Sequence, residues 1–275
     1  MIKFMSTRKG KAMTTIALNK NDSIMSTWFQ GIKYALNPRN LIHELTDFRP
    51  REWVLLAVML GTQAISFAFG GDYGIIGWLG LLTGVCTILS LILVDRGRIT
   101  NYVFGFIGCA IWLIIALHNK LIGDTLSQAF YVIMNIIGVY FWMRRMNTND
   151  DNESMEVKPR RLTGWKAVLT LAAGVIGYLV TVWFSMKAGG NLVWLDAFLF
   201  PMGVLGQILM SFGYREQWYC WVLVDIINVI AYFIRIFNGG GAAVSMFALQ
   251  VVMLINAIYG TYLWFKTAHD NNDNK

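Results

Sequence analysis

The chain is poor in the residues that build metal sites, disulfide frameworks and polar surfaces. Its 275 residues include three cysteines, three histidines and four prolines, and only 14% are charged. Cys86, Cys109 and Cys220 lie inside apolar runs without CxxC spacing, which indicates neither a disulfide framework nor a zinc site. The histidines are scattered and form no cluster. We therefore expect no metal site and no cofactor.

The sequence also lacks the residue combinations of an intramembrane enzyme. No histidine-rich, Ser-Lys or paired-carboxylate constellation is present, and nothing resembles an ATPase loop or a proton relay. The N-terminal region has no apolar core of signal-peptide length, so no cleaved targeting segment is expected. The net charge of +7 does not predict nucleic-acid binding, because the basic residues lie in short segments between apolar runs. We predict a protein that is not an enzyme.

Long hydrophobic runs dominate the chain, of which 56% is hydrophobic. Such a composition is typical of a polytopic membrane protein. Eight runs are each near the roughly 20 residues that cross the hydrocarbon core. We place them at Trp53–Phe69, Tyr73–Val94, Asn101–Leu117, Leu121–Trp142, Trp165–Met186, Trp194–Phe212, Trp218–Phe237 and Gly241–Phe265. The sequence thus predicts an all-α membrane protein with eight transmembrane helices.

The basic residues orient these helices. Most lie in the N-terminal segment 1–50, near Arg96, in the linker after Trp142, at Arg215 and at Lys266, which fall on one side of an eight-helix plan, whereas the loops of the other side contain only Lys120 and Lys187. By the positive-inside rule, both termini are cytoplasmic in a multi-pass protein of the inner (plasma) membrane. The predicted organisation is a basic segment 1–50, a transmembrane domain 51–268 and a tail 269–275.

The basic N-terminal segment contains one periodic stretch. Ile24, Trp28, Ile32 and Leu36 recur every four residues, and Asn37-Pro38 ends the pattern. A short interfacial helix on anionic lipid fits this spacing. A disordered tail with chance periodicity fits it equally well.

Two parts of the chain share a pattern that indicates duplication. Gln128, Gly138, Tyr140 and Trp142 recur 122 positions later as Gln250, Gly260, Tyr262 and Trp264. We predict two parallel three-helix repeats, 73–142 and 194–265, joined by a linker 147–186 that contains one helix, with an extra helix in front. Parallel repeats place a site at their interface near the bilayer midplane. The plainer reading is that such residues are common near membrane interfaces, which would make Trp142 and Trp264 interfacial anchors.

The seventh segment carries a polar stripe. Trp218, Trp221, Asp225, Asn228, Tyr232 and Arg235 are spaced by threes and fours, so a helix places them on one face. An aspartate at the centre of a membrane helix costs about 2.5 to 3.5 kcal/mol on insertion scales and usually faces a cavity or a neighbouring helix. The stripe therefore predicts a substrate wall.

Three motifs resemble one transporter family. Glu216-x-Trp218-x-x-Trp221-x-x-x-Asp225 is similar to the E-x-W-x-x-W-x-x-x-D motif of PnuC-type nicotinamide riboside transporters. Gly97-Arg98-Ile99-x-Asn101-Tyr102 resembles the G-R-I-x-N-Y stretch of that family. Gln128-x-x-Tyr131-x-x-x-Asn135-x-x-Gly138-x-x-x-Trp142 resembles its fourth-segment pattern. The order and spacing of the three matches are more specific than any one of them.

The resemblance implies a SWEET-like fold of three plus one plus three helices, preceded here by an extra helix. It implies facilitated diffusion of nicotinamide riboside for NAD synthesis, with a separate cytoplasmic kinase trapping the product and a homo-oligomer as a further expectation. The alternative is another vitamin such as thiamine, or a sugar, on the same fold. The chain departs from the family in its long basic N-terminus, and it has Ala257 opposite Asn135.

The cargo is a pyridinium cation joined to a ribose, so its site needs aromatic faces and amides. The predicted substrate-binding residues are Trp218, Trp221, Asp225, Asn228, Gln128, Tyr131, Asn135, Gln250 and Tyr259. Asp225 either attracts the cation or holds a neighbouring helix, and Trp218 either stacks or anchors at the interface. Asn101 and Arg98 are expected to be structural, with Asn101 capping a helix, and Pro201 packs or hinges. Such a neutral site would pass the riboside and exclude its 5'-phosphate.

Overall fold

The N-terminal region of the computed structural model contains two strands and two short helices. The structure describes residues 3–6, 12–15, 23–70, 73–119, 122–147, 156–187, 193–237 and 243–273. Strands β1 (Lys3–Ser6) and β2 (Ala12–Thr15) pair antiparallel. Helix α1 (Ile24–Ala35) begins where the Ser23 hydroxyl accepts from the Ser26 amide, and α2 (Pro38–Thr46) begins at a proline. The periodic stretch is thus a helix, whereas the strands and α2 were not predicted because they are short and largely polar.

Eight longer helices follow, and each coincides with one predicted apolar segment. They are α3 (Pro50–Gly70), α4 (Ile75–Asp95), α5 (Asn101–His118), α6 (Ile122–Asn147), α7 (Trp165–Lys187), α8 (Val193–Ser211), α9 (Gln217–Phe237) and α10 (Ala243–Asp273). Within the described ranges, seven of them are long and apolar enough to cross a membrane. In α8, the apolar stretch within the described side chains is the shorter Ala197–Ser211. The protein is a multi-pass helical membrane protein, and the eighth crossing stays a prediction.

The packing order arranges six helices in two sets of three. Helices α4, α5 and α6 pack in sequence, and so do α8, α9 and α10. The sets meet where α6 contacts α8 and where α10 contacts α4. Helix α3 packs on α4 and α10, α7 packs on α8, and α1 packs on α6. A central space therefore lies among six helices, with three more supporting it from outside.

The turns inside the two sets have the same backbone geometry. Gly97, between α4 and α5, has a φ of 68°, and Gly213, between α8 and α9, has a φ of 69°. This left-handed region favours glycine because it lacks a Cβ. The linker reaches both turns, because the Val157 amide donates to the Gly97 carbonyl at 2.8 Å and the Arg160 amide to the Gly213 carbonyl at 3.0 Å. The described part of the linker, from residue 156 onward, thus bridges the two sets at this end.

Four large aromatic side chains, Tyr102, Trp142, Trp218 and Trp264, fill the centre at the same end. Trp142 and Trp264 are 0% and 1% exposed, and their indole N–H groups donate to the carbonyls of Met210 at 2.8 Å and Val94 at 2.9 Å. The expectation that these two tryptophans are interfacial anchors is wrong, because each is buried and its indole N–H donates to a carbonyl of the other set of helices. We call these four residues the aromatic plug.

Two glycines allow the plug to pack. A Cβ on Gly138 would lie 2.3 Å from the Tyr102 ring, and a Cβ on Gly260 would lie 2.3 Å from the Trp218 ring. Any larger side chain would push the aromatic ring away. The duplicated glycines noticed in the sequence thus mark close contacts between helices within each set.

Arg98 ties the N-terminal helices to this end of the bundle. It is 3% exposed and donates to the carbonyls of Glu44 and Asp47, the latter at 2.9 Å. The Glu44 carboxylate accepts from the hydroxyls of Tyr34 and Thr100. Burial raises the pKa of Glu44, although these hydroxyls and Arg98 oppose the shift. Arg98 therefore anchors α2.

Candidate substrate site

The two sets of helices enclose a cavity of about 290 Å³, near the lower end of the size range of ligand pockets. Its wall comes from α4, α5, α6, α8, α9 and α10. It brings together the predicted residues Trp218, Trp221, Asp225, Asn228, Tyr131, Asn135 and Gln250. We call it the central cavity.

The stripe on α9 forms one wall, as its spacing predicts. Trp218, Trp221, Asp225 and Asn228 line the central cavity. On the opposite side of α9, Leu223 is 43% exposed and Ile230 is 43% exposed, so the apolar face looks outward. Of the wider stripe, Tyr232 is not among the lining residues. The aspartate in this helix therefore faces the interior.

The two tryptophans are held by glycines of neighbouring helices. A Cβ on Gly206 of α8 would lie 3.0 Å from the Trp221 indole. Trp218 is fully buried and is the one plug residue that also lines the central cavity. Packing fixes both rings, and the partly buried Trp221 presents a flat π face at this wall.

Asn135 forms an amide wall opposite. Its side-chain N–H donates to the Tyr131 carbonyl at 2.8 Å. Its Oδ1 fits into the space left by Gly105, where a Cβ would lie 2.4 Å away. The Asn135 side chain is thus held by its own helix and by the missing side chain on α5.

Two further amides, which the sequence analysis did not predict, line the central cavity. Asn256 is 1% exposed and Gln207 is 6% exposed. Within the described part of the chain, neither Asn256 side-chain atom has a hydrogen-bond partner, and nor does the Gln207 Nε2. Buried amides without partners are costly, so these two have donors and acceptors left for a ligand. A lone amide inside a long apolar run was the signal that would have identified both.

Asn256 also changes the comparison made from sequence. Ala257 had seemed to leave the second set without a partner for Asn135. Asn256, one position earlier on α10, supplies an amide to the same cavity. Both sets therefore contribute an amide, from positions offset by one residue.

Two predicted site residues lie elsewhere. The Tyr259 hydroxyl donates to Glu52 Oε1 at 3.0 Å, and the Arg51 guanidinium lies 5.3 Å from its ring centre. The reason is that α3 packs on this face of α10 and brings the buried carboxylate of Glu52. Gln128 lines a second cavity, described next, and not the central one.

The second cavity has a volume of about 560 Å³ and lies among α3, α4, α5, α6 and α10. It reaches toward the α3 end at Gly70 and is lined by Gln63 and Gln128. The two cavities share Thr87, Cys109, Gln250 and Met253 as lining residues. They are therefore neighbours separated by these four side chains.

The remaining predicted residues have structural surroundings. The Asn101 side chain donates to the Arg98 carbonyl at 2.6 Å, and the N-cap position of α5 is Thr100, so Asn101 is not the cap. Pro201 is buried inside α8, and a Cβ on Gly177 of α7 would lie 3.0 Å from it. Neither residue lines the central cavity. Among the described residues, no group of three His, Cys, Asp or Glu could hold a metal ion.

Seven apolar helices of membrane-spanning length in the described ranges and a cavity lined by six helices define a class, the multi-pass membrane proteins with a cavity between their helices. Residues 77–266 match the family model described as Nicotinamide mononucleotide transporter, and the chain belongs to this transporter family. The resemblance drawn from the motifs is confirmed.

Relatives agree with this assignment. The chain is 32% identical to the "Nicotinamide riboside transporter PnuC" of Neisseria mucosa, over 78% of this chain and 81% of the relative. It is 27% identical to the protein of the same name from Haemophilus influenzae, over 83% and 95% of the two chains. It also resembles a solved structure, "Crystal structure of the Vitamin B3 transporter PnuC", with a TM-score of 0.68 and 30% identity over 84% of this chain and 97% of the other.

Proposed function

We propose that the protein carries nicotinamide riboside across the membrane by facilitated diffusion. The central cavity supports this most directly, because its wall combines two indoles with several amides. The pyridinium ring would stack on Trp221, beside the buried Trp218, and the ribose and carboxamide would bond to the amides. The relatives named for nicotinamide riboside transport support the same cargo.

The binding free energy requires both the aromatic and the amide side chains of the central cavity. A cation over an aromatic face contributes about 0.5 to 2 kcal/mol, whereas micromolar binding requires roughly 8 kcal/mol. Two stacking contacts therefore fall short, and hydrogen bonds from Asn135, Asn228, Gln250, Asn256 and Gln207 supply the rest. Asp225 lies on the same wall and favours a cation electrostatically.

The proposal includes an architecture of two parallel three-helix repeats, α4–α6 and α8–α10, with α7 as linker and α3 as the extra helix. It treats α8 as an eighth crossing. Several paired observations support this architecture: the glycine turns, the tryptophan-to-carbonyl bonds, the glycine–aromatic contacts, and the matching meetings of α6 with α8 and α10 with α4.

The proposal also places the protein in its cell. Most basic residues lie at the end that carries the glycine turns and the plug, whereas Lys187 and Arg235 lie toward the other end. The positive-inside rule therefore makes the first end cytoplasmic. Both termini are then cytoplasmic in an inner membrane. Transport would be downhill, a cytoplasmic kinase would trap the product, and a homo-oligomer is a further expectation.

Purified protein in liposomes tests the cargo. We expect labelled nicotinamide riboside to equilibrate across the bilayer and its mononucleotide to remain outside, because the described residues that line the central cavity include amides and aromatics and no basic side chain. Equal uptake of both compounds would contradict this. Competition by unlabelled thiamine or a sugar at the same strength as nicotinamide riboside would assign the cavity to another cargo.

The same liposomes test the energetics. Uptake is expected to stop at equal concentrations on both sides, whether or not a proton gradient is imposed. Accumulation driven by the gradient would show coupled transport and refute facilitated diffusion.

A further inference from the structure

A third cavity lies on the other side of the aromatic plug from the central cavity. Its volume is about 410 Å³. Five basic residues and two acidic ones line it: Arg49, Arg51, Arg96, Lys158 and Lys266, with Asp95 and Glu156. Trp264 of the plug and Gly97 of the first glycine turn are also part of its wall. We call it the basic cavity.

Some of these charges already have partners. Arg96 bonds to Glu52 at 3.3 Å and to Glu156 at 3.1 Å. Burial disfavours the Arg96 cation, but Glu156 and Glu52 raise its pKa overall. The net charge of the wall stays positive because Arg49, Arg51 and Lys266 form no ion pair with a described residue.

The corresponding place in the first set of helices is filled by a side chain. Arg145 of α6 corresponds to Thr267 of α10, 122 positions later. The Arg145 guanidinium donates to the Lys158 carbonyl at 2.7 Å and packs on Gly213, where a Cβ would lie 3.1 Å from its Nε. Thr267 is short and lines the basic cavity beside Gly97. The cavity is therefore open because threonine stands where the other set has arginine.

One polar group in its wall has nothing to bond to. Asp95 is 3% exposed and lines the basic cavity, and neither of its carboxylate oxygens has a hydrogen-bond partner in the described ranges. A carboxylate accepts hydrogen bonds from hydroxyl groups. A ligand with hydroxyl donors at one end and a negative charge at the other would satisfy both parts of the wall.

We propose that the basic cavity binds a phosphate monoester that carries hydroxyl groups, such as a sugar phosphate or a nucleoside monophosphate. Arg49, Arg51 and Lys266 contact the phosphate, and Asp95 accepts from the hydroxyls. This chemistry is opposite to that of the central cavity, which suits a cation. The phosphorylated form of the cargo that a cytoplasmic kinase would produce has this chemistry. This identification of the ligand depends on the proposed transport function, whereas the phosphate binding itself does not.

The site is connected to the central cavity through one contact. Asp95 Oδ1 and the Trp218 ring both lie close to Gly260, 2.5 Å and 2.3 Å from the position of a Cβ there. Trp218 lines the central cavity. A ligand held by Asp95 therefore stabilises the closed plug, and it slows transport when present on this side of the membrane.

Calorimetric titration of the purified protein in phosphate-free buffer tests the site, with ribose 5-phosphate, inorganic phosphate and ribose as probes. We expect ribose 5-phosphate to bind more tightly than inorganic phosphate and ribose to show no binding. Lys266→Gln and Arg49→Gln should each weaken ribose 5-phosphate about tenfold. Thr267→Phe, which fills the cavity without adding charge, should abolish binding.

Arg144→Gln is the matched control. Arg144 lies over Tyr140 as Lys266 lies over Tyr262, so the variant removes the same charge from the corresponding place of the other set. It should bind ribose 5-phosphate as the wild type does. Unchanged affinity in Lys266→Gln and Arg49→Gln, or an absence of binding in the wild type, overturns the proposal. Nicotinamide riboside binding, measured separately, shows that each variant is folded and reports on the transport function independently.

A second arm separates a soluble ligand from a lipid headgroup. The titration is repeated in nanodiscs of phosphatidylcholine and in nanodiscs containing phosphatidylglycerol, whose headgroup also carries a phosphate ester and hydroxyls. Equal ribose 5-phosphate affinity in both identifies a soluble ligand. Weaker ribose 5-phosphate binding only in the phosphatidylglycerol nanodiscs identifies the lipid headgroup as the ligand of the basic cavity. In that case, variants outside the cavity do not restore the affinity.

Discussion

The helix sets α4–α6 and α8–α10 have the same frame but different walls. The second glycine turn, at Gly213, lies 116 positions after the first, at Gly97. At the same offset, Gly105 corresponds to Trp221 and Ser90 to Gly206. In the first set, the glycine leaves room for the Asn135 amide. In the second, the indole of Trp221 fills that room and packs on Gly206. One set thus supplies space and an amide, and the other supplies an aromatic face.

The difference teaches how a symmetric frame can bind an asymmetric molecule. A ligand with a flat cation at one end and a hydroxylated ring at the other needs two unlike walls. Two identical sets would offer either two indoles that fill the cavity or two empty sides without a stacking surface. Exchange of a few side chains between otherwise matched positions provides both functions.

The largest effect is expected when the first set is given the side chain of the second. Gly105→Trp would bring an indole onto Asn135, which already lies 2.4 Å from a Cβ at this position, and would fill the central cavity. We expect nicotinamide riboside binding, measured by calorimetry, to fall at least about 100-fold, a loss of roughly 2.8 kcal/mol. Gly61→Ala, at a helix position with open space around it, is the control.

The reverse exchange should have the next largest effect. Trp221→Gly removes the stacking surface, and the loss of about 2 kcal/mol weakens nicotinamide riboside binding about 30-fold. Trp183→Gly, at a 52% exposed position on α7, provides a matched loss of indole away from the cavity. If both variants bind equally well, Trp221 does not contact the cargo.

The shared frame can be tested through its two glycines. Gly138→Ala and Gly260→Ala each place a methyl group 2.3 Å from an aromatic ring. Overpacking of this kind costs about 1 to 3 kcal/mol, so both should lower the melting temperature in detergent by similar amounts. Gly80→Ala, which meets nothing within 4 Å, should not. A large drop in only one of the first two would show that the sets do not share the contact.

The smallest effect is expected for the offset amides. Asn256→Ala removes one neutral hydrogen-bonding group from the wall and should weaken binding about fivefold, corresponding to about 1 kcal/mol. The double variant Asn256→Ala with Ala257→Asn moves the amide to the position that corresponds to Asn135. Because Ala257 also lines the central cavity, we expect the double variant to recover part of the binding, and no recovery would mean that only position 256 directs an amide to the cargo.

Sequence patterns predicted most of the helices and one wall of the site. Long apolar runs have few alternatives to a helix in a bilayer, and the spacing of Trp218, Trp221, Asp225 and Asn228 fixes a face of α9. The patterns failed where a residue's partner comes from a distant element. Tyr259 was predicted to bind the substrate, but α3 places Glu52 beside it, and the Tyr259 hydroxyl donates to that carboxylate.

The burial of Trp142 and Trp264 was not predicted for a related reason. A tryptophan near a helix end is typical of an interfacial anchor, and only the packing of α6 on α8 and of α10 on α4 shows that each indole meets a carbonyl of the other set. Asn256 was not predicted because the repeat distance of 122 residues from Asn135 leads to its neighbour, Ala257.

The linker that hydrogen-bonds both glycine turns has a mechanical consequence. Val157 and Arg160 lie three residues apart and hold the two turns together, so the loops at this end move as one rigid piece unless these bonds break. Spreading the turns apart would break at least one of these bonds, whereas rotation of the aromatic side chains of the plug would keep both.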